Sequence, residues 1–134
     1  MSILENYSVL ISAIGALTLI QIIQLIVADA IGILSKHTPG AIVEANHDNL
    51  LFRASRVFAN TNETIPIFIL ASLFSVLVNA SPEVTGIAAW VYVIARVIYA
   101  FCYYANLKTM RSIVFGISLL GLIVLFITGV YAWL

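Results

Sequence analysis

The chain has 134 residues, 63% of them hydrophobic and only 9% charged, with six basic residues balancing six acidic ones. A soluble domain carries about 25% charged residues, so composition excludes a water-soluble globule, and a mean hydropathy of +1.11 excludes a disordered chain. Zero net charge leaves no electrostatic footprint for nucleic acid, and the single Cys102 excludes an intrachain disulfide or a cysteine-based zinc cluster.

The chain reads as an integral membrane protein, and a helix needs about 20 apolar residues to cross a hydrocarbon core of about 30 Å. Residues 7–34 form the first predicted span, apolar apart from Ser8, Ser12, Thr18, Gln21, Gln24 and Asp29. No positive segment precedes it, and it is too long for a cleavable signal peptide. Gln21 and Gln24 suit interhelical hydrogen bonds better than a transport path. Residues 35–49 form a polar loop with a turn at Pro39-Gly40. His37 and His47 lie there with Glu44 and Asp48 and read as solvated loop residues; a metal site would need a third ligand brought to both, and no metal is expected.

The second span is less obvious, because residues 65–78 are too few to cross alone. Extended back through Asn60 and Arg56 to Leu50, it becomes a long helix over 50–78 that projects beyond the bilayer at its polar end. A tight turn at 79–83 leads to a third span over 84–104, interrupted by Arg96. A polar link at 105–110 leads to a fourth over 112–134, uncharged from Ile113 onward. Its Gly116, Gly121 and Gly129 form no G-x-x-x-G, although small residues there allow close packing. Cys102 reads as a small buried hydrophobe. With no repeat, the expectation is an all-α, four-helix transmembrane bundle forming one domain over 1–134.

Lys36, Arg53 and Arg56 flank the first loop, and Lys108 and Arg111 flank the third, whereas the second turn and both termini carry no cation. Positive residues mark the cytoplasmic side. Both termini are therefore expected on the non-cytoplasmic side, with any chemistry of these cations facing the cytoplasm.

Ionisable groups inside a span are costly and face a bundle interior or a wet cavity. Arg56, Asn60 and Glu63 recur at i, i+4 and i+7, on one face of the second helix. Pro66 removes a rung from the backbone beside Glu63. Arg96, Tyr99 and Tyr103 share a face of the third helix, and Arg96 lies about 12 Å below Tyr104, deep enough to need a partner. Glu63 is the natural one and Asp29 the other candidate. Each residue has a plain structural reading: an ion pair for Arg96, interfacial aromatics for the tyrosines, and positive-inside anchors for Arg53, Arg56 and Arg111. Convergence argues for more, because two polar stripes at one depth describe a cation-rich pocket suited to a small anion.

The run Arg56-Val57-Phe58-Ala59-Asn60-Thr61-Asn62-Glu63-Thr64-Ile65-Pro66 resembles the R-x-x-x-N-x-x-E-x-x-P signature of the MAPEG family, the membrane-associated proteins of eicosanoid and glutathione metabolism. Residues 95–103, followed by Arg111-Ser112, resemble that family's third helix and the start of its fourth. The resemblance implies a homotrimer with glutathione as co-substrate, bound between subunits near the cytoplasmic face. By position it implies that Arg56, Asn60, Glu63, Arg96, Tyr99 and Tyr103 bind glutathione. Arg111 would stabilise the thiolate and Ser112 would supply the neighbouring hydroxyl. A nearby cation does favour a thiolate at neutral pH.

The expected function is thus a glutathione-dependent transferase or peroxidase acting on a hydrophobic or lipid-like electrophile. A non-catalytic lipid-binding or scaffolding protein of the same fold is the alternative, and the absence of a basic residue from the first helix is the feature on its side. A proton-coupled exporter would place a carboxylate midway along the first helix, where this sequence has none.

Overall fold

Ser2 opens the structure by capping a short helix, α1 (Ile3–Asn6): its hydroxyl accepts from the Glu5 amide at 3.3 Å and its own amide donates to the Glu5 carboxylate at 2.7 Å. Four long helices follow, α2 (Ser8–Leu34), α3 (Leu50–Leu77), α4 (Pro82–Tyr104) and α5 (Lys108–Trp133). The structure is a computed structural model, described over residues 2–134. Each long helix is apolar enough to cross a membrane, and even α4, with 23 residues, is about 35 Å long at the ordinary rise. No strand occurs among the described residues. The protein is an all-helical, multi-pass membrane protein.

Caps explain the helix boundaries. Asn49 caps α3, accepting from the Leu51 amide at 2.9 Å, and Ser81 caps α4 ahead of Pro82, whose missing amide costs nothing at a first turn. The far ends of α2, α3 and α4 each turn through a left-handed residue: Lys36, Asn79 and Asn106, with φ of 53°, 53° and 58°. In each, the next amide reaches back five residues, His37 to Gly32, Ala80 to Ser75 and Leu107 to Cys102, at 2.8–3.0 Å. The last of these leads almost directly into α5, so the link is shorter than the expected 105–110 and α5 begins at Lys108. Pro66 lies inside α3, which continues through it to Leu77.

α4 is the most enclosed span and packs against each of the others. One core cluster centres on Leu10, Phe68, Tyr92 and Leu125, where Phe68 stacks on Tyr92 at 4.8 Å. A second, nearer the first loop, holds Val57, Ala95, Tyr99, Tyr103 and Val114. The Tyr7 hydroxyl donates to the buried Ala80 carbonyl at 2.6 Å, tying the start of α2 to the α3–α4 turn. Close backbone approach depends on Gly121, where a Cβ would stand 3.1 Å from the Ala88 carbonyl and Tyr92 amide, and on Gly129, where it would meet the Phe74 ring at 2.8 Å. Gly116 faces open space. Large apolar side chains such as Leu19, Leu70, Ile94 and Phe126 cover the outside, as a lipid-facing surface requires.

Candidate functional site

Helix periodicity carries three segments to one place at the end of the bundle that holds the 35–49 loop. A cleft of about 290 Å³ is lined by Asn60 of α3, Tyr99 and Tyr103 of α4, and Arg111, Ser112 and Phe115 of α5. Five of the eight site residues expected from sequence thus line one cleft. The other three, Arg56, Glu63 and Arg96, lie outside its lining.

Arg96 lies wholly buried. Its Nη1 donates to Asn60 Oδ1 at 2.7 Å, and its guanidinium carbon lies 5.5, 5.3 and 5.2 Å from the ring centres of Tyr92, Tyr99 and Phe115. Three aromatic faces supply the negative potential that makes a buried guanidinium tolerable. The expected Arg96–Glu63 pair is therefore corrected: Glu63 instead meets Arg56, with Oε1 3.9 Å from Nη2 and side chains 58% and 41% exposed. Helix geometry explains the swap. At about 100° per residue, Asn60 lies about 40° to one side of Arg56 and Glu63 about 20° to the other. Asn60 turns toward α4 and Glu63 turns outward. Asp29, the other candidate, is exposed on α2 and forms no ion pair among the described residues.

Arg111 is the cation that reaches the cleft. Its guanidinium carbon stands 4.5 Å from the centre of the Tyr103 ring, a cation–π distance. Tyr99 and Tyr103 lie 5.5 Å apart, and Tyr99 lies 6.2 Å from Phe115, so the wall behind the cation is aromatic. The Ser112 hydroxyl is exposed and donates weakly to the Lys108 carbonyl at 3.3 Å. The cleft offers an amide, two phenols, a hydroxyl and a forked cation, a set suited to a small anionic ligand.

His47 is the residue that sequence reasoning misplaced. It is half-buried, with Nδ1 3.2 Å from Arg111 Nη1. Its ring lies edge-on to Phe52 at 5.1 Å and 6.0 Å from Tyr103. The Arg53 guanidinium holds the His47 carbonyl at 2.6 Å. Burial and the neighbouring cations Arg111, Lys108 and Arg53 push the imidazole below its usual range, opposed only by Asp48. The available signal was its place two residues before the cap of α3, which carries it to the same end as Arg53 and the start of α5.

The remaining polar residues stay structural. Gln21 donates to Asn62 Oδ1 at 2.9 Å, the interhelical bond expected of it, whereas the buried Gln24 amide finds no partner among the described residues. His37 contacts the Ala41 carbonyl at 3.1 Å, and Cys102 is buried. No group of three metal-ligating side chains converges among the described residues.

No curated protein matches the chain. The sequence model of the MAPEG family, in contrast, matches residues 7–131 of the 134, which takes in the first three spans, all but the last two residues of α5, and every residue of the cleft. The chain belongs to the MAPEG family.

Proposed function

We propose that the protein is a membrane-embedded, glutathione-dependent transferase or peroxidase. The observation that carries the reading is the single cleft holding Asn60, Tyr99, Tyr103, Arg111 and Ser112; members of the MAPEG family use glutathione. Asn60 and the two tyrosines hold the peptide, with Arg56 and Glu63 gripping its charged ends from the outer face of α3. Arg96 acts from beneath by holding Asn60. Arg111 lowers the thiol pKa through its charge, and the Ser112 hydroxyl donates to the sulfur. The thiolate then attacks an apolar electrophile arriving from the bilayer: a carbon–sulfur bond forms, and the leaving group departs with its electron pair. With a hydroperoxide, two glutathione molecules become the disulfide while the peroxide becomes an alcohol and water.

The same reading takes the chain as one subunit of a homotrimer. A second copy would cover Arg56 and Glu63, ions that a lone subunit leaves on its outer surface. It places both termini on the non-cytoplasmic side and the cleft on the cytoplasmic side, because Lys36, Arg53, Arg56, Lys108 and Arg111 all cluster at that end.

Calorimetric titration of glutathione into the detergent-purified protein and an Arg56→Ala variant tests the proposal. Saturable binding that the substitution abolishes is the expected result. A folded protein that takes up no glutathione at millimolar concentration overturns it and leaves the lipid-binding alternative.

A further inference from the structure

Arg111 ends in a long, flexible side chain, yet it is held on two sides. Tyr103 stacks beneath the guanidinium, and His47 meets its edge at 3.2 Å. An arginine has donors only. His47 Nδ1 must therefore be the acceptor, which fixes the imidazole as the neutral tautomer with its proton on Nε2. The imidazole is itself anchored from α3, through Arg53 on its carbonyl and Phe52 against its ring. A chain of contacts thus runs from α3 through the loop to the cleft's cation.

We propose that His47 is a positioning residue for Arg111, locking the guanidinium over Tyr103 and toward the cleft only while the imidazole is neutral. The proposal deepens the glutathione reading and rests on it for the identity of the anion. Protonated His47 has no acceptor to offer and adds a positive charge beside Arg111, Lys108 and Arg53, against the single carboxylate of Asp48. The lock is therefore made at neutral pH and released as the pH falls. A released arginine samples other rotamers and stabilises the thiolate less. His47 touches no reacting atom.

Two measurements on the detergent-purified protein test this. The first needs no ligand: nitrogen-15 shifts of the imidazoles followed against pH, in the wild type and in Arg111→Leu. His47 is expected as the Nε2–H tautomer, titrating below its usual range, and Arg111→Leu moves it upward. An imidazole unaffected by Arg111→Leu overturns the proposal, whatever the protein binds.

The second measurement follows the ultraviolet absorbance of bound glutathione thiolate against pH in the wild type, His47→Phe and His47→Asn. Phenylalanine keeps the ring against Phe52 and Tyr103 but removes the acceptor, whereas the amide oxygen of an introduced asparagine stands near the place of Nδ1. His47→Phe is expected to bind glutathione within about twofold of wild type but to raise the thiol pKa by about one unit, roughly tenfold less thiolate on the acid side; His47→Asn restores most of it. An unchanged thiol pKa in a folded His47→Phe protein overturns the proposal. Absence of glutathione binding in the wild type would instead count against the proposed function, leaving the imidazole titration to decide the lock.

Discussion

Arg96 Nη1 and Asn60 Oδ1 lie 2.7 Å apart and join α4 to α3 within the membrane-spanning bundle. The guanidinium's Nε and Nη2 have no protein partner among the described residues, so this hydrogen bond carries much of what compensates the buried charge. Replacing Asn60 by Leu deletes the acceptor and leaves the cation in place. The expected loss is about 1.5–3 kcal/mol, the range for hydrogen bonds to charged groups, read as a lower melting temperature in detergent. Adding Arg96→Met removes the stranded charge and should recover a large part of that loss, a non-additivity expected of residues in direct contact. Equal destabilisation by the single and double variants would show that the bond does little.

Two glycines of α5 differ in what surrounds them. A methyl group at Gly121 would meet α4 backbone at 3.1 Å, and backbone cannot swing aside as a side-chain tip can. Gly121→Ala is expected to cost about 1–3 kcal/mol, as overpacking does. Gly116 has open space around it, so Gly116→Ala should be neutral or gain up to about 1 kcal/mol from helix propensity. Thermal unfolding of both variants in the same detergent gives the comparison.

Three of the four spans were legible because a run of about 20 apolar residues has few other uses, whereas the second showed itself only when its short apolar stretch over 65–78 was extended back through Asn60 and Arg56. Spacing of three and four fixes a helix face, which grouped Asn60 with its stripe and Tyr99 with Tyr103; Arg111 came to the same place only through the family resemblance. What spacing does not fix is rotation finer than that face. Asn60 and Glu63 differ by about 60° around α3, and this decides which of them meets Arg96. His47 belongs to a loop, where no periodicity speaks, and its position depends on Arg53 at the start of α3 and on Arg111 at a distant point of the sequence. Lys36, Asn79 and Asn106 take left-handed turns where glycine is the usual sign.

Stability should depend on pH through His47. Its folded-state pKa lies below the usual 6.5 of a free imidazole, so between those values the unfolded chain binds more protons than the folded one. Stability then rises with pH across that window. The contribution is complete above 6.5 and lost as the pH falls toward the lowered value. His47→Phe cannot titrate and should flatten this part of the profile. Melting temperatures of both proteins from about pH 5 to 7.5 would test it; parallel curves would show that His47 is not the group responsible.

On the proposed glutathione reading, Arg111 is the residue whose substitution best separates binding from activation. Its charge lies against Tyr103 and lines the cleft, while Asn60, Tyr99 and Arg56 offer other donors to the peptide. Arg111→Leu is therefore expected to retain glutathione affinity within a few-fold. A cation beside an ionisable group shifts its pKa by about 1–3 units, so removing it should raise the bound thiol by a similar amount. At fixed neutral pH, that lowers the thiolate fraction and kcat together by about tenfold or more. Arg111→Lys keeps a positive charge but loses the planar fork that His47 and Tyr103 hold, and it should fall between the two. Measuring Kd by calorimetry and thiolate by absorbance on all three proteins separates these effects. A parallel loss of both would make Arg111 a binding residue and move the activating role elsewhere in the cleft, with the exposed hydroxyl of Ser112 the next group to replace.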